Sequence, residues 1–217
     1  MVEMLKFNSR ADWLEARKNY IGGSEAAAIV GMSPYSNNVD LWELKTGRRL
    51  AEDISDNPLV KYGTEAEAHL RALFALDYPQ YAVNYVENNL YLNDRYPWAH
   101  ASLDGTLFEI ETERRGVLEI KTTNIQSPAQ KLKWEGRIPD NYYCQVLHYL
   151  MVTEFDFAVL KAQLKWDNGK DVFCVTKHYT IEREEVIEDI KFLENSEKEF
   201  SRYIKNDVRP PLMLPRV

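Results

Sequence analysis

Val117-Leu118-Glu119-Ile120-Lys121 is the stretch that decides the architecture. Its residues alternate, so in an extended strand Leu118 and Ile120 turn to one side while Glu119 and Lys121 turn to the other. A carboxylate and an ammonium then share one face of a strand with strongly apolar neighbours. Upstream, Ala101-Ser102-Leu103-Asp104-Gly105 puts an acid at the end of another short strand. A hairpin through residues 112–116 brings Asp104 towards Glu119. Two converging carboxylates repel each other unless a cation stands between them. Hard oxygen ligands and incomplete protein coordination suit Mg2+, with water and phosphate filling the shell. A lysine beside such a pair orients or deprotonates the attacking water, the arrangement of metal-assisted phosphodiester hydrolysis.

Outward from this centre the period changes. Upstream, the pattern is helical. Ser9 and Asp12 mark a helix start followed by Trp13, Leu14 and Arg17. Ile21-Gly22-Gly23-Ser24 leads into a second helix over residues 25–30, with Ser24 as its cap and Gly31 as its stop. A third helix covers residues 39–46. Thr64 and Glu67 have capping-box spacing ahead of an apolar stripe of Leu70, Leu73 and Phe74. Downstream, Ser127-Pro128 opens a helix, and Tyr143, Val146, Leu147, Leu150 and Met151 mark a strongly apolar one. Two strands then flank the hairpin turn Asp167-Asn168-Gly169-Lys170. The reading is an α/β domain, a central mixed sheet flanked by helices. It is one domain over residues 1–217, with an N-terminal helical region at 1–60 and a C-terminal acidic helix at about 182–206.

A chain of 217 residues buries a full core without disulfides or metal. Its net charge of −7 excludes a uniformly basic nucleic-acid coat but not a local basic patch. Residues 182–199 carry eight acids and three bases, so the acidity is concentrated there and that helix should face outward or towards a partner. Cys144 and Cys174 form no CxxC pair and read as buried free thiols of a reducing compartment. No secretory signal or membrane-length apolar run is seen. The expected location is the cytoplasm, with no membrane partner. His69, His100, His148 and His178 have no ligand spacing for zinc, and no phosphate-loop or dinucleotide motif is present.

Glu-x-Lys by itself says little. Glu43-Leu44-Lys45 has the same spacing in a helical pattern. Read singly, Glu119 and Lys121 equally describe a solvated ion pair, and Asp104 a turn-former beside Gly105. Glu67 equally describes a helix cap, Gln145 a surface residue, Arg17 an exposed charge, and Ser24 a plain N-cap. A Gly-Gly-Ser helix start also offers free N–H groups to an anion, which a guanidinium such as Arg17 would complete. Candidates for contact with DNA phosphates are Arg17, Lys18, Arg48, Arg49, Lys131, Lys133 and Arg137, with Trp134 among them as a wedge.

Taken in order, Arg17, Gly22-Gly23-Ser24, Glu67, Asp104, Glu119-x-Lys121 and Tyr142-Tyr143-Cys144-Gln145 resemble the PD-(D/E)xK nucleases. Within these they resemble the lambda exonuclease or YqaJ-type viral recombinase family, over about residues 13–152. One departure is Leu103, where the signature has proline. The resemblance implies a restriction-endonuclease-like core and a metal-dependent 5′-to-3′ exonuclease. Such an enzyme resects one strand of linear double-stranded DNA and leaves 3′ overhangs for recombination. It implies Mg2+, with Mn2+ as substitute. Asp104, Glu119 and the Ile120 carbonyl would be ligands, with Glu67 in support. Lys121 would act on the attacking water or transition state, and Gln145 and Tyr142 would position the nucleophile or strand. Arg17 and Ser24 would bind the 5′ phosphate, and Lys131, Lys133 and Arg137 would track the backbone. It further implies a phage or prophage origin in a bacterial host, a single-strand annealing partner and a homo-oligomeric ring, a trimer. The rival readings are an endonuclease or repair nuclease on the same core and a non-catalytic module that binds DNA ends or a partner. A glycosidase with paired carboxylates is more distant, since it leaves the lysine unexplained.

Overall fold

A computed structural model describes residues 1–214. The decisive stretch lies in β7 (Arg115–Asn124), the middle of a five-stranded sheet. Its neighbours are β6 (Gly105–Glu109) and β8 (Phe157–Asp167), with β3 (Tyr81–Asn84) and β9 (Val172–Glu182) at the edges. The β3–β6, β6–β7 and β8–β9 pairs are antiparallel and β7–β8 is parallel, so the sheet is mixed. Parallel neighbours need a crossover. Here it contains α5 (Pro128–Leu132) and α6 (Asp140–Thr153).

Both faces of β7 are covered. Leu118 and Ile120 join Leu70 and Phe74 of α4 (Pro58–Asp77) in one apolar cluster. Val117 on the other face joins a larger cluster with Val146 and Leu150 of α6 and Ala26 to Ala28 of α2 (Gly23–Ile29). This second layer also includes α7 (Ile187–Lys205), which packs through Ile190, Leu193 and Phe200.

Helix α4 begins earlier than expected. Asn57 caps it, accepting from the Leu59 N–H at 2.9 Å, and Pro58 takes the first helical position. Gly63 sits inside the helix, where it masks the helical pattern. A Cβ there would lie 3.1 Å from Thr122 Oγ1 on β7, so glycine permits the close approach of helix and sheet. Thr64 is therefore no cap. Leu73 of the expected stripe is exposed, while Leu70 and Phe74 are buried.

The N-terminal region is not wholly helical. β1 (Val2–Lys6) pairs antiparallel with β4 (Asn89–Asn93), and β2 (Ile21–Gly22) pairs parallel with β5 (Ala99–His100). α1 (Arg10–Arg17) has Ser9 as its cap, and α3 (Asn38–Lys45) contains the decoy Glu43 and Lys45. Helix α2 is capped by Gly22, with Ser24 as its second residue, so the N-cap reading of Ser24 is corrected.

The C-terminal acidic segment is a 3-10 turn, Arg183–Val186, followed by α7. It does not simply face outward. Glu197 is fully buried, and its carboxylate lies 2.7 Å from Nδ1 of the equally buried His148. Cys144 is buried as expected but Cys174 is exposed on β9. Among the described residues no helix is long and apolar enough to cross a membrane.

Candidate active site

Pairing of Gly105 with Leu118 brings Asp104, just before β6, to Glu119. Asp104 thus precedes its strand rather than ending one. Its Oδ2 accepts from the Ile120 N–H at 2.8 Å, which ties the acid to β7. Leu103, which stands where the signature has proline, is held by a side chain upstream. The buried Asn89 donates from Nδ2 to the Leu103 carbonyl at 2.9 Å and accepts from the Leu103 N–H at 2.8 Å. These bonds hold the backbone that delivers Asp104. Nothing local in the sequence marks Asn89 for this part, because its partner is set by the fold.

Glu119 is 1% exposed. Its Oε1 receives Lys121 Nζ at 2.6 Å and Gln145 Nε2 at 2.8 Å, while its Oε2 is buried without a partner. Asp104 is pushed well above the ordinary carboxylate range by burial and by the charges of Glu119 and Glu67. Glu119 is also raised, chiefly by burial, against the pull of Lys121. Burial alone would lower Lys121, but Glu119 and Asp104 outweigh it and hold the ammonium charged. An orphaned buried oxygen beside two carboxyls that resist ionising is an arrangement that a cation would relieve. Among the described residues no three His, Cys, Asp or Glu side chains form a cage by themselves. Two carboxylates are a hard-oxygen donor set, which fits Mg2+ better than zinc.

Glu67, no longer explained as a cap, faces this cluster from α4. Its Oε1 accepts from Arg71 Nη1 at 2.9 Å, and the same nitrogen donates to the Asp104 carbonyl. Arg71 is stacked on Tyr85, its Cζ 3.6 Å from the ring centroid. Sequence reasoning missed Arg71. Its spacing of four from Glu67 on a helix was the available signal.

Gln145 is buried on α6, and its amide also donates to Tyr149 Oη at 2.8 Å. Its immediate task is therefore to hold Glu119, which removes the surface-residue reading. Tyr142 lies over Lys121, with Nζ 5.2 Å from the ring centroid. Arg17 is half-buried, stacked on Trp13 at 4.2 Å, and its charge bears on Tyr149 and His100. Gln145 thus links Tyr149 to Glu119. His100 is buried against Gly22 and its pKa is driven down to about 2, mainly by burial. The ring is thus held neutral, and its Nδ1 is buried without a partner.

Gly23 makes this junction possible, because a Cβ there would lie 2.5 Å from the Tyr149 ring and 3.1 Å from Gln145 Cγ. Gly23→Ala should therefore lower the melting temperature by the equivalent of about 1–3 kcal/mol. It should also displace Gln145 from Glu119. A variant with wild-type melting would show that the junction yields freely.

The proposed DNA contacts separate into two groups. Lys131, Lys133 and Arg137 are exposed around α5, with Lys131 Nζ 4.3 Å from the Trp166 ring centroid. Trp134 is 1% exposed and packs on Tyr142 and Tyr179, so it cannot wedge a duplex. Arg48 is paired with Asp207 and Arg49 with Asp40 and Glu43, which neutralises both. Ser24 is exposed.

This chain belongs to the YqaJ-like viral recombinase domain family, whose model matches residues 12–156. It is 30% identical over 146 residues to the protein YqaJ of Bacillus subtilis (strain 168). That match covers 66% of this chain and 42% of the relative, so the chain spans less than half of that protein's length. The fold is similar to that of the alkaline exonuclease LHK-Exo from Laribacter hongkongensis, also solved in complex with dAMP. The TM-score is 0.61 at 19% identity, covering 90% of this chain and 95% of that one. A phage related exonuclease from Haemophilus somnus 129PT matches with a TM-score of 0.52 at 14% identity, over 87% of this chain and 96% of that one. The mixed sheet flanked by helices is thus the fold of known phage-type exonucleases.

Proposed function

We propose that the chain is a metal-dependent exonuclease that hydrolyses one strand of linear double-stranded DNA from a 5′-phosphorylated end, leaving a 3′ overhang for phage-type recombination. The observation that carries the reading is the meeting of Asp104, Glu119 and Lys121, with the buried Glu119 Oε2 left unpartnered. Membership of the recombinase family and the likeness to two exonucleases support it.

Asp104 and Glu119 would hold the cation, with the Ile120 carbonyl as a further oxygen and Glu67 adding negative potential from α4. When bound, Mg2+ or Mn2+ would supply Lewis acidity to the phosphodiester and lower the pKa of water. Gln145 fixes the rotamer of Glu119, and Arg71 fixes Glu67 and the Asp104 backbone. Lys121 presents its ammonium to the charge that develops on the phosphoryl oxygens. Tyr142 lies against that ammonium and limits its freedom. Arg17 would receive the terminal phosphate together with Ser24. Lys131, Lys133 and Arg137 would track the backbone beyond the site. A single-strand annealing protein and a trimeric ring belong to the same proposal, as does the cytoplasm of a bacterial host.

The test is nucleotide release from linear duplex DNA with a 5′ phosphate on one strand only, beside a closed circle. Release confined to the phosphorylated strand and stopped by chelator is expected. Cutting of the circle would move the chain to the endonuclease reading. No release from either, in folded protein, would leave a binding module. Arg17→Ala should selectively reduce the preference for phosphorylated ends; equal loss on phosphate and hydroxyl ends would refute its assignment.

A further inference from the structure

A second basic feature shares no residue with the acid cluster. A cavity of about 690 Å³ opens between the α1–β2 connection, the segment before β5 and the C-terminal third of α7. Five cations line it, Lys18, Lys45, Lys198, Arg202 and Lys205, and no acidic residue does. Lys18 is paired with Glu15, and Lys45 with Glu25. Lys198, Arg202 and Lys205 recur at helical spacing on one side of α7 and have no carboxylate within 4.0 Å among the described residues. The acidic helix therefore ends in a basic face. The cavity floor is apolar, formed by Ile21, Pro97, Trp98 and Ile204, and the Trp98 indole N–H is buried without a partner.

We propose that this cavity binds a short acidic peptide segment of a partner protein. A large apolar side chain of that segment would seat on Trp98 and Ile204, and flanking carboxylates would pair with Lys198, Arg202 and Lys205. The apolar floor and the acidic surroundings favour a peptide over DNA. A nucleic-acid backbone carries charge continuously. Towards the start of α7 it would meet the exposed Glu184, Glu185 and Glu188, which oppose it on that side. A peptide places its charge only where the cations are. Apolar anchors in a pocket with a charged rim are also the arrangement from which protein contacts draw most of their affinity.

The experiment is fluorescence anisotropy of the full chain in chelator, so that no nuclease activity intervenes. The probe is a labelled dodecapeptide of Glu and Asp with a central Phe. Controls are the same peptide with Gly for Phe, and a single-stranded and a duplex oligonucleotide. Saturable, salt-sensitive binding is expected. It should be at least tenfold weaker in Arg202→Glu/Lys205→Glu and weaker for the Gly peptide. Both positions are exposed, and Lys198→Glu provides a second, single charge reversal, with circular dichroism confirming the fold. Absence of saturation would overturn the proposal, as would binding indifferent to the charge reversals. An oligonucleotide that displaces the peptide at lower concentration and shows the same charge dependence would assign the cavity to nucleic acid instead.

Discussion

Lys121→Ala is expected to lower the rate of DNA hydrolysis on the order of a thousandfold while leaving binding to duplex ends intact. Lys121 is the cation closest to the paired carboxyls, 2.6 Å from Glu119 Oε1. It is also held charged by Glu119 and Asp104. Its removal does not disturb the delivery of Asp104, which depends on the Ile120 N–H and on Asn89 through Leu103. Nor does it remove the Gln145 bond to Glu119. The acids should therefore still collect a divalent ion, and more readily, since their competing ammonium has gone. The signature is a lost rate with unchanged end affinity and a retained metal-induced rise in melting temperature. Near-normal turnover in folded protein would remove Lys121 from the chemistry.

Asp104→Asn should stabilise the metal-free protein and abolish the response to metal. The raised folded pKa of Asp104 determines the sign. A group raised above its unfolded value adds stability below that unfolded value and loses it as pH climbs through the folded one. Metal-free wild type should therefore melt progressively lower as pH rises through the raised range. A bound cation favours the ionised carboxyl, so with Mg2+ this decline should shrink or reverse. The amide carries no charge to repel Glu119 and Glu67, and its oxygen can still accept from Ile120. A gain in melting temperature is expected at neutral pH without metal, at about 2–4 °C per kcal/mol for a chain of this size. The Mg2+ shift and the nuclease activity should both vanish. Thermal melts across pH, with and without Mg2+, decide it. A variant that melts lower than wild type in chelator, or keeps its metal shift, would contradict the electrostatic account.

The parts legible in the sequence are those with local causes. Alternation in residues 117–121 placed Leu118 and Ile120 opposite Glu119. The caps at Ser9 and Ser127 and the turn through Gly169 lie where the spacing put them. The helical setting of Glu43 and Lys45 was equally clear. Helix α4 was only partly legible, because Gly63 interrupts its pattern for the sake of a contact with Thr122 on a distant strand. Strand β1 was missed because its partner, β4, lies more than eighty residues away and lends it the order its own residues do not encode.

By itself, then, the sequence determined the class of fold and the residue types of the acid cluster, since periodicity, caps and motif order are properties of neighbouring positions. Tertiary packing decided what each of those residues is free to do. It freed Glu67 from a capping role and joined it to Arg71. It clamped Leu103 with Asn89, buried Trp134 beneath Tyr142, and linked Gln145 to both Glu119 and Tyr149. It also turned the end of an acidic helix into the basic wall of a cavity. Each of these depends on which elements meet in space, and the burial and charge that result are set by neighbours tens of residues apart.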